Sequence, residues 1–496
     1  MTTQTLAPPA HRRARLLPSV SSVPRRRLLV PVVIAFAFLV TQGVVQAVTP
    51  FIRQDDWTFL LPDNQPNVAP PRYYNISEGR WLNTGWWWLV GQHGTPTTAA
   101  LTYALGYALL VAGMWRVLRR AGVRPAPVVD VLLGIALYAS CVWVQLLYWP
   151  GALTPSVLVG ATAMWLLPWA SRTRVRMALW LLLSGVAAVL SYPPIGVVLL
   201  VFAVVHLRDA PWRRVLAVVA GWVVAFGSGI LVAYTLNWIF NQHFGIELAS
   251  WRQANPLNSL DSLYDNVDRW LDSARDLWRA QWWVALVGLV AFAVGIRDHR
   301  VRPRLLRLLA AFVVACGVDA GQTVVTGAVT EARGQLWTWL VAVLPVAFLL
   351  LRRGRTEPRA VRVSPAERVP ALLLAVLAVV GVLAWRADIG AHQKTRVQYA
   401  AIAEQATAPE AGEPAARIVV YQDWYIKGSR DGALMASTMF MAVRQATGGV
   451  QPRWCRGDEC VELARQAESR SVVRIDSPAG LSHVIGIVVP PPPDWL

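Results

Sequence analysis

The chain reads as a polytopic α-helical membrane protein of about eleven transmembrane helices, with a small extracytoplasmic α/β domain at its C-terminus. Three observations predict this. Hydrophobic residues make up 55% of the 496 and charged residues only 15%. Apolar stretches close to 20 residues recur through the first 390 positions, each long enough as a helix to cross the roughly 30 Å hydrocarbon layer. The segments between them alternate in charge.

The basic excess, +18 overall, is almost all arginine, with Lys394 and Lys427 the only lysines. It lies in short clusters between apolar runs, as cytoplasmic loops require under the positive-inside rule, and not on one face as nucleic-acid binding would require. Residues 1–27 carry six arginines and no acid and read as a disordered cytoplasmic tail. The run 28–49 is too long for a signal-peptide core and begins the membrane domain, 28–387.

Further spans follow at about 97–115, 128–147 and 153–170. The long run 177–207 is broken by "SYPP" at 191–194, where proline removes a helix donor and restricts the residue before it. Two short spans meeting at an outer turn return the chain to the basic "HLRDAPWRR"; a single kinked span would instead reverse every later loop. The remaining spans fall at about 215–239, 283–296, 305–328, 335–351 and 369–387. On this map the cytoplasmic segments hold 27 arginines, while the outer loops up to residue 385 hold 8 arginines against 11 acids. The polarity is N-terminus in and C-terminus out, across the cell membrane.

Two outer loops are large, 50–96 and 241–282. In the second, Leu263, Val267, Trp270, Leu271, Ala274, Leu277 and Trp278 recur at helical spacing opposite Asp265, Asp268, Asp272 and Asp276, predicting an amphipathic helix in the outer interface. Residues 388–496 read as the soluble domain, with strands in "ARIVVYQDW" and "SVVRIDS", a helix in "DGALMASTMFMAVRQAT" and a rigid polyproline end. Cys455 and Cys460 stand close enough to close a small loop on the side where disulfides persist, while Cys141 and Cys316 fall within spans.

The first outer loop concentrates chemistry. "RQDDWTFL" places Asp55 and Asp56 just beyond the first span, and "PPRYYNISEGRWLNTGWWW" adds Arg72, Glu78, Arg80 and Trp81. A carboxylate there can take the proton of an attacking hydroxyl, and arginines can neutralise a departing phosphate. Tyr192 in "SYPP" and Glu331 and Arg333 in "TEARGQ" are further outer candidates, and Asp319 is a costly acid inside a span. His93 and His243 are isolated and no side-chain cluster has metal-ligand spacing; the adjacent carboxylates alone leave a divalent metal ion open.

An acidic pair directly after the first span resembles the GT-C-type glycosyltransferases, integral-membrane enzymes that use lipid-phosphate sugars. "DDW" followed by "EGRW" is similar to the bacterial glucosyltransferase II family that modifies O-antigen, with Trp57 where another aromatic is usual. The resemblance covers the first outer loop and the many-span layout. It implies a polyprenyl-phosphate sugar donor, a cell-envelope glycan or lipid-linked acceptor, and Asp55 or Asp56 as general base with the other as second carboxylate or metal ligand. Arg80 would bind donor phosphate or hold Glu78. A transporter or flippase of lipid-linked sugars is the competing function, but the halves show no convincing repeat of the kind many transporters carry. A glycan polymerase is disfavoured by the acidic outer loops.

Overall fold

The computed structural model describes residues 56–60, 71–90, 96–248, 252–351, 363–407, 417–423, 430–447, 452–467, 471–475 and 484–491, with a few positions between 37 and 48. The tail 1–27, most of the first span, Asp55, His93 and the last five residues lie outside the described residues.

Among the described residues, three short helices precede the long ones: α1 (Trp57–Leu60), α2 (Pro71–Glu78) and α3 (Trp81–Val90). There follow α4 (Pro96–Arg120), α5 (Pro127–Tyr138), α6 (Pro150–Ala170), α7 (Arg174–Val189), α8 (Pro193–Leu207) and α9 (Trp212–Asn241). Then come α10 (Leu260–Gly295), α11 (Arg302–Thr326), α12 (Trp337–Leu349) and α13 (Arg368–Thr407). Proline opens α4, α5, α6 and α8, where its missing N–H costs nothing and its φ is preset. Among the described residues, six helical segments are long and apolar enough to cross a membrane: α4, α6, α9, α10, α11 and the stretch Pro365–Thr407 that contains α13. Helices α5, α8 and α12 are apolar but shorter.

Gly106 faces Val157 and Gly113 faces Met164, so α4 and α6 run parallel; Gly185 against Ala225 and Gly229 against Val189 set α7 and α9 parallel as well. Such small residues let helix backbones approach closely. The break at "SYPP" is a full reversal. His206 Nε2, at the end of α8, lies 2.9 Å from Ser171 Oγ just before α7, so the two helices form a hairpin with Tyr192 at its far end.

Three sequence expectations are corrected. The span placed at 128–147 is a helix only to Tyr138. There Ser140 Oγ accepts the N–H groups of Val142 and Trp143, and the chain continues as a tight 3₁₀ segment, Trp143–Tyr148. The surface helix and the span at 283–296 are one 36-residue helix, α10, interrupted by non-helical backbone at Gln281. The domain boundary at 388 falls inside α13, which continues unbroken to Thr407.

The two ends of the bundle differ in charge. At one end Arg119 pairs with Asp130, Arg304 with Asp209 (3.0 Å), and Arg214 Nη2 donates to the Ser171 carbonyl. Arginine-rich turns meet there. The opposite end gathers α1 to α3, the Tyr192 turn and the segments before α10 and α12.

Beyond α13 lies a four-stranded sheet of order β2-β1-β4-β3, built from β1 (Arg417–Tyr421), β2 (Arg453–Trp454), β3 (Val472–Ile475) and β4 (Val484–Val488). β1 pairs parallel with β2 and β4, and β3 antiparallel with β4. Two helices, α14 (Arg430–Ala446) and α15 (Asp458–Gln466), complete the unit, and a disulfide joins Cys455 to Cys460, whose Cα atoms are 5.2 Å apart. Its core is shared with the membrane domain. Tyr399 and Ile402 of α13 pack with Met435, Met439 and Ile487, and Leu60 of α1 is buried in the same cluster.

Candidate active site

α1 is held from three directions. Asp56, fully buried, accepts the backbone N–H groups of Gly151 (2.7 Å) and Ala152 (2.5 Å) at the start of α6. A carboxylate at a helix N-terminus satisfies orphan donors and complements the dipole. Phe59 packs on Tyr74 with ring centroids 5.5 Å apart, and Leu60 enters the C-terminal core. Both oxygens of Asp56 thus accept from the start of α6, and the buried carboxylate anchors this segment there.

Beside this anchor a small, narrow cleft of about 40 Å³ opens. Its charged lining is Glu78, Arg80, Arg252 and Arg333, and its aromatic walls are Tyr74, Trp149 and Tyr192. Ala152, whose N–H holds Asp56, is also in the wall. Glu78 sits between two arginines, with Arg80 Nη2 at 3.1 Å and Arg252 on its other oxygen. Arg333 pairs with Glu331 at 2.7 Å and lies over the Trp149 ring at 4.3 Å. Arg80 lies over the Tyr192 ring at 5.2 Å, and the Tyr192 hydroxyl donates to the Arg333 carbonyl at 3.2 Å. Arg80 and Arg252 thus share the Glu78 carboxylate, and Arg333, paired with Glu331, lines the same cleft.

Arg252 was not singled out in the sequence. It is delivered by a turn in which Gln253 has φ +47°, a conformation unfavourable for a side-chain-bearing residue and characteristic of functional segments. A signal was present, since arginine is scarce in the acidic loops that the sequence assigns to the outer side. Arg275 and Arg279 are accounted for by Asp272 and Asp276 three residues earlier, whereas Arg252 has no acid at helical spacing.

Other expected site residues lie elsewhere. Arg72 Nε donates to Asn241 Oδ1 (2.8 Å) and is exposed, outside the cleft lining. Trp81 donates to Asn237 Oδ1 (2.8 Å) and packs on Phe240, fastening α3 to the end of α9. Asp319 accepts from Trp337 Nε1 (2.5 Å) and ties α11 to α12. Among the described residues no group of three or more His, Cys, Asp or Glu is placed to hold a metal ion, and the cleft carboxylates are already paired with arginine.

Burial pushes the Glu78 carboxyl up, but Arg80, Arg252 and Arg333 outweigh it and hold it below its ordinary value of 4.5. Burial raises the Tyr192 phenol, offset only in part by Arg333 and Arg80, so it stays a neutral donor. A depressed carboxyl contributes stability in full above its unfolded value and loses it as pH falls through the folded one. The Glu78 contribution is therefore expected to be constant from about pH 5 to 8 and to fade below about 4.5. Thermal unfolding between about pH 3.5 and 6 should show a shallower acid limb in Glu78→Gln than in the wild type.

Compared with protein-family models, with curated proteins and with solved structures, the chain has no match.

Proposed function

We propose that the protein is an inverting membrane glycosyltransferase of GT-C type. It would move a hexose from a polyprenyl-phosphate donor to a cell-envelope glycan or lipid-linked acceptor on the outer face of the cell membrane. The observation that carries this reading is the convergence of Arg80, Arg252 and Arg333 on one aromatic-walled cleft beside the Asp56 anchor. With Glu78 and Glu331 ionised, these five groups leave one positive charge, suited to a phosphodiester anion. Arg80 Nε is buried with no hydrogen-bond partner among the described residues, a further donor at the cleft.

In the reaction the acceptor hydroxyl oxygen bonds to C1 of the sugar from the face opposite the phosphate. The C1–O bond to phosphate breaks, and its electron pair leaves on the polyprenyl phosphate. The acceptor proton passes to a carboxylate, for which Asp55 is the choice because Asp56 is engaged with α6. The arginines stabilise charge as it develops on the leaving phosphate. Tyr74, Trp149 and Tyr192 offer faces for the sugar ring. The reading carries with it an eleven-span topology with the basic end of the bundle in the cytoplasm and the cleft and C-terminal unit outside.

The test is reconstitution of the full chain in liposomes with radiolabelled polyprenyl-phosphate hexoses and total envelope glycan as acceptor. Label is expected to move to the glycan in wild type and not in Asp55→Asn. Translocation of labelled lipid without transfer, or equal transfer by Asp55→Asn, would overturn the proposal.

A further inference from the structure

The surface half of α10, residues 260–280, has three faces. The first meets the protein: Ser262 and Asn266 are buried, and Leu263, Val267 and Trp270 are half-buried. The second is acidic and exposed, carrying Asp261, Asp265, Asp268, Asp272 and Asp276. The third is apolar and exposed: Leu260, Tyr264, Leu271 and Trp278, with Trp282 just past the kink, are 71%, 66%, 37%, 61% and 53% accessible. Most of the apolar residues that the sequence assigned to a membrane face are thus turned toward protein; Leu271 and Trp278 belong to a separate stripe.

That stripe does not end at Gln281. Leu286 and Leu289, also exposed, extend it into the part of α10 that is apolar enough to cross a membrane. A surface continuous with a hydrocarbon-facing one, flanked by an acidic water-facing strip and bearing two tryptophans at the bend, fits a helix lying in the membrane interface.

The protein-facing side has a specific cargo. Asn266 Nδ2 donates to the carbonyls of Asn255 (2.7 Å) and Val324 (3.0 Å), and Arg269 Nη1 to that of Gln253 (2.7 Å). Asn255 and Leu257 donate in turn to the Thr326 and Val325 carbonyls at 3.0 and 2.9 Å. These bonds hold the strained turn at Gln253 that presents Arg252 to Glu78.

We infer that the Leu260, Tyr264, Leu271, Trp278 and Trp282 stripe is a lipid-contact surface seated in the outer leaflet, and that α10 thereby acts as the membrane-borne mount of Arg252. The lipid contact stands on the surface itself, while the importance of Arg252 rests on the cleft reading above. Arg269 and Asn266 are positioning residues: they reach the cleft only through the turn they hold. Removing the lipid contact frees the helix to tilt, and the Gln253 turn loses its support.

The experiment needs no sugar transfer, so it stands apart from the transferase assay. Leu271→Cys and Asp268→Cys, each with Cys141→Ser and Cys316→Ser, are spin-labelled in phosphatidylcholine nanodiscs. Power saturation compares access of oxygen with that of a water-soluble nickel chelate. The label at 271 is expected to favour oxygen and that at 268 nickel. Equal nickel access at both positions, or cross-linked dimers formed by unlabelled Leu271→Cys, overturns the lipid contact. For the mount, amide hydrogen exchange is followed in nanodiscs in Tyr264→Asp/Leu271→Asp. Exchange at Asn255 and Leu257 is expected to quicken at least about tenfold, with core amides of α4 unchanged. Unchanged exchange at those two amides overturns the mount.

Discussion

Replacing Arg252 by alanine is expected to lower kcat/KM for sugar transfer by roughly 10²–10³-fold, the effect of deleting one preorganised donor from a site of developing negative charge. The guanidinium shares Glu78 with Arg80 in the same cleft as Arg333. On the proposed reading its loss would remove a cation from the leaving phosphate and let the Glu78 charge act more fully against it. Arg252→Lys keeps the charge but not the planar fork, and should recover only part of the activity. Arg72→Ala is the control. That arginine is an equally conspicuous outer-loop cation, yet it is exposed on Asn241 and absent from the cleft lining, so a change below about threefold is expected. Initial-rate kinetics on the reconstituted variants separate these outcomes; equal losses at Arg72 and Arg252 would show that the cleft does not select its arginines.

Asp56→Ala is expected to damage the fold before it damages the chemistry. Two buried backbone N–H groups lose a charged acceptor, at a cost of roughly 3 kcal/mol. Asp56→Asn should do nearly as badly, because one end of the amide must turn a donor toward another donor. Asp55→Asn, one residue earlier, should yield folded protein without transfer. Thermal unfolding monitored by size-exclusion chromatography distinguishes the neighbours. An Asp56→Asn protein as stable as wild type would mean that the α6 cap is dispensable.

The acidic pair illustrates what sequence can and cannot convey. Its position after a first apolar run marked the segment as worth inspecting. Nothing in "DDW" tells that Asp56 closes over the start of a helix nearly 100 residues away, since a cap supplied from a distant segment has no local signature. Glu78, Arg80, Tyr192 and Arg333 could be singled out because each is a polar or charged residue beside an apolar run, and they do line one cleft. Arg252 required the turn at Gln253, and a left-handed glutamine is invisible in composition. Helices with strong apolar periods were legible. The places that departed from the expected spans were governed by local competition: Ser140 capturing two amides, and Gln281 bending one helix between interface and bilayer. In α10 the three-faced pattern read as two-faced, because spacing alone does not distinguish apolar residues that meet protein from those that meet lipid.

The burial of Leu60 among Tyr399, Met435, Met439 and Ile487 has a consequence for biogenesis. A residue made early in synthesis finds its seat only among residues made more than 300 positions later. While the ribosome is still adding the middle of the chain, α1 lacks one of its three attachments. Long sequence separation of this kind slows assembly. The Leu60 attachment is therefore completed only after β4 has left the ribosome, so a prematurely stopped chain would hold α1 by Asp56 and Phe59 alone.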